Sequence, residues 1–256
     1  MRLPFLAVLS LAVPLATFAA PDCQELVVTG HPYYPPVAWG SGGKEVGAAP
    51  ELVIRIATAL GIPKVTTKDF GTWEKAQAAA RNGEADVIVG IYRNTERLEH
   101  LEYAEPAFMI DPVSVVVRAG TNFPYAQWSD LRGKRGVTSA GESYGNQFDS
   151  YMARELSVAR VAGIDKAFEA VLDGSADYAI IAFYPGRDAA RKQGLFGKVA
   201  FLPKTVVNAD LFVAFSKKSK CLDLLKGGFV KALKAEVDSG RATLLLEKTN
   251  DSLGDQ

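Results

Sequence analysis

Arg97 stands just past an apolar run, residues 87–91, that reads as a buried strand, and follows the polar turn residues Arg93, Asn94 and Thr95. Polar groups at the carboxyl end of a buried strand are where α/β sheets hold ligands. A guanidinium fixed there offers a planar fork of donors that suits a carboxylate. By pattern alone, the same arginine serves equally well as a surface partner of Glu96, Glu99 or Glu102. A second candidate is Glu142, in the loop 138–144 (TSAGESY), where Ser139, Gly141 and Ser143 leave room beside a helix starting near Gly145. Free N–H groups at a helix start bind carboxylates. His31 and His100 are the only histidines. His31 reads as a polar wall residue or a proton carrier, and His100, among Glu99, Leu101 and Glu102, as a surface residue. The sequence carries no nucleophile elbow, Gly-rich phosphate loop or metal-ligand spacing, so an enzyme reading has only Glu142 and His31 to work with.

The elements that must position these residues follow from periodicity and caps. A strand over 25–29 runs into residues 30–36, where three prolines in five positions predict a rigid loop. Pro50 opens an amphipathic helix over 51–60, closed by Gly61 and Pro63. A strand over 65–69 precedes a helix over 73–82 that Thr72 caps and Gly83 ends. Residues 112–118 form a β-branched strand, 211–215 a return strand, and 221–239 a long amphipathic helix. Crossings near 114–118 and 208–212 imply a two-strand hinge. The pattern K-A-x-x-A-x-x-x-G-x-A-D occurs at 75–86 and again at 166–177, an internal repeat that points to two halves of one plan. Asp86 and Asp177 then read as helix-to-strand turn residues and not as catalytic acids.

Composition narrows the partners. Basic and acidic residues balance at 29 each, which recommends neither nucleic acid nor an anionic membrane. Arg2, the apolar stretch from Leu3 to Phe18 and the small residues around Ala19 read as a secretory signal over residues 1–20. In an exported chain the two cysteines, Cys23 and Cys221, are expected to form one disulfide.

The order of these features resembles the bacterial extracellular solute-binding proteins, family 3, that serve amino-acid importers. The resemblance rests on Gly83 to Asp86, on Thr95 to Arg97, on Tyr103-Ala104-Glu105-Pro106-Ala107-Phe108 and on Asp130-Leu131-Arg132-Gly133-Lys134. It implies an α/β, two-lobed periplasmic binding protein type II fold with a two-strand hinge and a ligand cleft between lobes. The expected division is 22–117 with 210–256 for one lobe and 118–209 for the other. It implies a small-molecule ligand, an ABC permease in the inner membrane as partner, a monomer, no cofactor and no catalysis. Arg97 takes the place of the family's carboxylate-gripping arginine. Tyr33, Trp73, Gly90, Tyr92, Ser139, Glu142 and Ser143 fall at or near its ligand positions. The usual acid that holds a ligand ammonium in the second lobe is Ala182 here, and the acidic position of the first loop is Gly30. A buried ammonium without an acceptor is costly. Either Glu142 takes over, or the ligand is not a standard amino acid. A dehydratase-like enzyme of the same fold and a soluble ligand-sensing module are the other functions this resemblance leaves open.

Overall fold

The computed structural model describes residues 23–254. The expected signal segment lies outside the described residues. The chain begins with β1 (Glu25–Thr29) and then folds a three-stranded unit, β2 (Tyr33–Tyr34) inside the expected rigid loop 30–36, and β3 (Ala38–Ser41) and β4 (Lys44–Val46) beyond it, where the sequence analysis places no element. Helix α1 (Ala48–Ala59), β5 (Lys64–Thr67), α2 (Trp73–Asn82), β6 (Val87–Tyr92), the single turn α3 (Thr95–Leu98) and β7 (Leu101–Tyr103) follow. Strand β8 (Met109–Arg118) leads to β9 (Arg135–Ser139), α4 (Asn146–Glu155), β10 (Ser157–Val161), α5 (Ile164–Asp173), β11 (Tyr178–Ala182) and α6 (Phe183–Lys192). The return strand β12 (Val199–Ser216) is far longer than its apolar end suggests. The expected long helix is present as α7 (Leu222–Leu224), a π turn at Leu225–Phe229 and α8 (Val230–Asp238), and α9 (Arg241–Gly254) closes the described chain.

Among the described residues the main sheet has nine strands, in the order β10, β9, β11, β8, β12, β6, β1, β5, with β7 pairing β12. Parallel pairing of β1 with β5 and β6 builds one half, and parallel pairing of β9 with β10 and β11 builds the other. Strands β8 and β12 join the two, antiparallel from Met109 opposite Leu211 to Arg118 opposite Val199. From Val113 onward β8 also pairs β11, while β12 pairs β6 from Leu211, so both strands pass from one half to the other around Asp111 and Ala209.

The repeat has a physical basis. Helices α2 and α5 each end at a glycine in the left-handed region, Gly83 at φ 83° and Gly174 at φ 82°. Asp86 Oδ2 accepts the Val27 N–H at 2.8 Å and Asp177 Oδ2 accepts the Arg135 N–H at 2.7 Å. Each aspartate therefore ties the start of its own strand to the neighbouring parallel strand, as the helix-to-strand reading predicts. The Cys23–Cys221 disulfide is present and binds the start of β1 to the head of the C-terminal helices.

Candidate ligand-binding site

Gly90 sets the aim of the site. Its φ of 69° places it in the left-handed region, and the pairing of β6 with β12 skips it, with Ile91 opposite Phe212 and Val89 opposite Val213. This is a β-bulge, and it reverses the alternation of the strand. Val87 and Val89 face the main core, and beyond the bulge Tyr92 returns to that same face while Ile91 joins Ile88 on the other. A Cβ at position 90 would also lie 3.1 Å from Val37 Cγ1.

Asn94 caps α3 by accepting the Arg97 N–H at 2.8 Å, and this fixes Arg97 just past the strand end. Arg97 is buried, at 4% exposure, and so is not the surface partner of Glu96, Glu99 or Glu102. Its Nε donates to Gln77 Oε1 at 3.1 Å, Nη1 to the Tyr92 carbonyl at 2.9 Å and Nη2 to the Gly141 carbonyl at 3.3 Å. A guanidinium carries five N–H donors, so one on each terminal nitrogen has no partner among the described residues. Burial pulls its pKa down, and the charges of Tyr103, Glu142, Asp149 and Glu96 act in the opposite sense. The guanidinium lies 5.6 Å from the ring centre of Trp73, the first residue of α2. The indole N–H of Trp73 is buried without a partner.

The loop after β9 closes over this surface. Ser143 Oγ accepts from Asn94 Nδ2 at 2.8 Å, and Asn146 bridges to the Thr95 N–H at 3.0 Å and to Thr95 Oγ1 at 2.7 Å. Asp149 organises the loop from within, accepting from Ser143 Oγ and, at 2.8 Å, from the Tyr144 N–H. Arg160 donates to the Glu142 carbonyl at 2.8 Å. Glu142 Oε1 meets His31 Nε2 at 3.2 Å. His31 Nδ1 accepts the Tyr33 N–H at 3.0 Å, which leaves Nε2 as the ring nitrogen that donates to Glu142.

Where β8 passes between the halves, Asp111 is completely buried. Its Oδ2 accepts from the hydroxyls of Tyr34 and, at 2.8 Å, Tyr92, while Oδ1 has no partner. Burial pushes its pKa up to about 6, partly offset by the tyrosine hydrogen bonds, and Glu142 pushes it further up. Burial and the Asp111 charge hold both tyrosines well above the ordinary phenol range, with Glu142 adding to each.

Of the residues expected at the site, Trp73, Tyr92, Arg97, Glu142 and Ser143 meet across the junction of the halves, with Gly90 behind them and buried Ser139 at the start of the closing loop. Tyr33 is the exception. It is 65% exposed, and in the two-residue strand β2 its neighbour Tyr34 is the one turned inward. Period-two alternation turns Tyr34, and not Tyr33, toward the core. Asp111 and Gln77 are not among the residues the sequence analysis names, and Asn94 appears there only as a turn residue. The cap position of Asn94 ahead of Thr95-Glu96-Arg97-Leu98 was a legible signal, whereas Asp111 reads as an ordinary turn residue before Pro112.

Two α/β halves joined by two antiparallel strands, with polar side chains meeting between them, define a two-lobed solute-binding fold. The chain matches the sequence profile of the bacterial extracellular solute-binding proteins, family 3, over residues 26–254, and it belongs to that family. No curated protein matches it in sequence. Among solved structures it is similar to a histidine kinase sensor domain with similarity to periplasmic binding proteins, at TM-score 0.73 and 21% identity, covering 89% of this chain and 96% of that one. It is similar to the arginine-, lysine-, histidine-binding protein ArtJ from Geobacillus stearothermophilus, at TM-score 0.69 and 21% identity, covering 88% and 94%. The amino acid ABC transporter substrate-binding protein AbpA from Streptococcus pneumoniae, bound to L-arginine, matches at TM-score 0.69 and 21% identity over 90% and 96%. At this identity the likeness shows the fold. Among the described residues no helix is long and apolar enough to cross a membrane.

Proposed function

We propose that this protein captures a small, polar, carboxylate-bearing molecule, an amino acid or a related compound, between its lobes and delivers it to an ABC importer from the periplasm. The observation that carries this reading is Arg97, buried at the junction of the lobes with one N–H unengaged on each terminal nitrogen. Residues 22–117 with 210–256 and residues 118–209 are the two lobes, β8 and β12 the hinge, and residues 1–20 the signal removed on export. Trp73, Tyr92, Ser139, Glu142 and Ser143 complete the ligand walls, with Tyr34 in place of Tyr33. The permease of the importer is the implied partner, and the protein acts as a monomer. ArtJ and AbpA support an amino acid as the class of ligand.

A second reading, a soluble sensing module, is favoured by the likeness to a histidine kinase sensor domain. A thermal-shift screen of amino acids, organic acids and amines tests the binding claim common to both. A ligand at 100 times its Kd adds about 2.7 kcal/mol. If no compound in any of these classes raises the melting temperature, the reading fails. Conversion of a bound compound to product would instead make the protein an enzyme.

A further inference from the structure

Asp111 is a buried carboxylate with half of its hydrogen-bonding capacity unused. Carboxylates so placed are normally paired, because removing the charge from water is costly without compensation. Here two tyrosine hydroxyls share Oδ2, and Oδ1 has no donor. The groups facing it are Tyr34 from β2, Tyr92 from β6 and the charge of Glu142 from the loop after β9. None supplies a positive charge. His31 is hydrogen-bonded to Glu142, and Arg97 donates to Gln77 and to two carbonyls.

The surroundings suit one kind of occupant. Tyr92 is 6.4 Å from Tyr144 across the junction, Tyr34 is 5.3 Å from His31, and His31 is 5.0 Å from Trp73, each between ring centres. Aromatic faces beside carboxylates attract organic cations. The positions where an acid was expected offer nothing, since Gly30 has no side chain and Ala182 is buried and apolar.

We infer that Asp111, on the strand that passes between the lobes, is the acceptor for a cationic N–H group of the ligand, with Glu142 as the second carboxylate facing that group. This rests on the proposed solute-binding role and narrows it. The ligand carries both charges, its carboxylate toward Arg97 and its ammonium, amidinium or guanidinium toward Asp111. An acid at the hinge does what a second-lobe acid would otherwise do. Because β8 belongs to both halves, the cation is held at the pivot of closure and not by one closing wall.

The test is calorimetric titration of wild type, Asp111→Asn and Arg97→Ala with the standard L-amino acids, with cadaverine and agmatine as cations lacking a carboxylate, and with hexanoate and glutarate as acids lacking a cation. Asparagine keeps an acceptor for the tyrosines and removes the charge. At pH 7.5, Asp111→Asn should weaken the tightest amino acid roughly 100-fold. Wild-type affinity should also fall as pH drops below about 6 and Asp111 takes up a proton, while that of Asp111→Asn stays flat over the same range. The wild-type profile decides the matter even if the variant folds poorly, since constant affinity from pH 7.5 to 5 would overturn the inference. Affinity of Asp111→Asn within threefold of wild type would overturn it too. If wild type binds only hexanoate or glutarate and Arg97→Ala abolishes this, the inference fails while the carboxylate-binding function stands. If wild type binds nothing in the panel, both fall.

Discussion

The Arg97 guanidinium of the first lobe donates to the Gly141 carbonyl of the second at 3.3 Å. The arginine proposed to grip the ligand is therefore also a clasp between the lobes. Gln77 reaches the same carbonyl at 3.4 Å, and a Cβ on Gly141 would stand 3.1 Å from Glu74 and 3.3 Å from Trp73. Close approach of this loop to α2 depends on a residue with no side chain at φ 76°.

Closure then rests on a few polar contacts that can be removed singly. Asn146 is exposed and bonds Thr95 twice, so Asn146→Ala should leave the fold intact. Two hydrogen bonds of about 1 kcal/mol each favour the closed arrangement. Small-angle scattering should show a larger radius of gyration for Asn146→Ala than for wild type, restored by ligand. An unchanged radius would mean that these bonds do not govern closure.

Gly90→Ala should disturb both stability and the site. An L residue at φ 69° carries strain of about 1–2 kcal/mol, and the added methyl meets Val37. Urea unfolding should show a loss of about 1–3 kcal/mol. Ligand affinity should also fall, because the bulge is what turns Tyr92 toward Asp111. Wild-type stability and affinity together would show that the bulge does not depend on glycine.

How much of this was legible in the sequence follows the physics of each signal. The repeat, the caps at Thr72 and Gly83 and the apolar run of β6 are local patterns, and they located Arg97. Helix α6 was hidden because Pro185-Gly186 reads as a break. Proline in a first helical turn needs no N–H partner, and Gly186 is there for closeness, since a Cβ would lie 2.8 Å from Ile181. The first half of β12 was hidden by Pro203 and Lys204, which fall in an irregularity of the pairing with β8 between Phe201 and Thr205, and by Asn208, which looks like a loop residue but pairs with Pro112. Asp111 was out of reach for a different reason. Its partners are 77 and 19 residues away in sequence, so its burial is a property of the assembled strands.

Glu45 gives a pH prediction with a definite sign. It is 1% exposed, and burial first, then the Asp69 charge, pushes its pKa from 4.5 to about 8, with the Gly30 backbone N–H acting in the opposite sense. The folded state therefore holds the proton more tightly than the unfolded chain. The cost of ionisation is fully present above pH 8 and is relieved as pH falls toward 4.5, so this group makes the protein more stable across that interval. Glu45→Gln should raise stability by about 1–3 kcal/mol at pH 9 and change it little at pH 5. Equal effects at both pH values, by urea titration, would contradict the assignment.

The disulfide bridges a separation of 198 residues. Closing so long a loop restricts the unfolded chain, so Cys221→Ser, or reduction of the wild type, should lower stability by about 3–5 kcal/mol. Thiol titration of the denatured, unreduced protein should find no free cysteine. Two reactive thiols there would refute the bridge.

The most direct test of the ligand site is calorimetry on Arg97→Ala and Arg97→Lys with the tightest compound found by screening. Removing one partner of a buried charge pair costs about 2–5 kcal/mol, so alanine should weaken binding at least 30-fold. Lysine should recover only part of the loss, because a point charge cannot supply parallel donors from a planar fork. Binding by Arg97→Ala as tight as that of wild type would contradict the account, and would make the arginine a structural clasp between the lobes with no hold on the ligand.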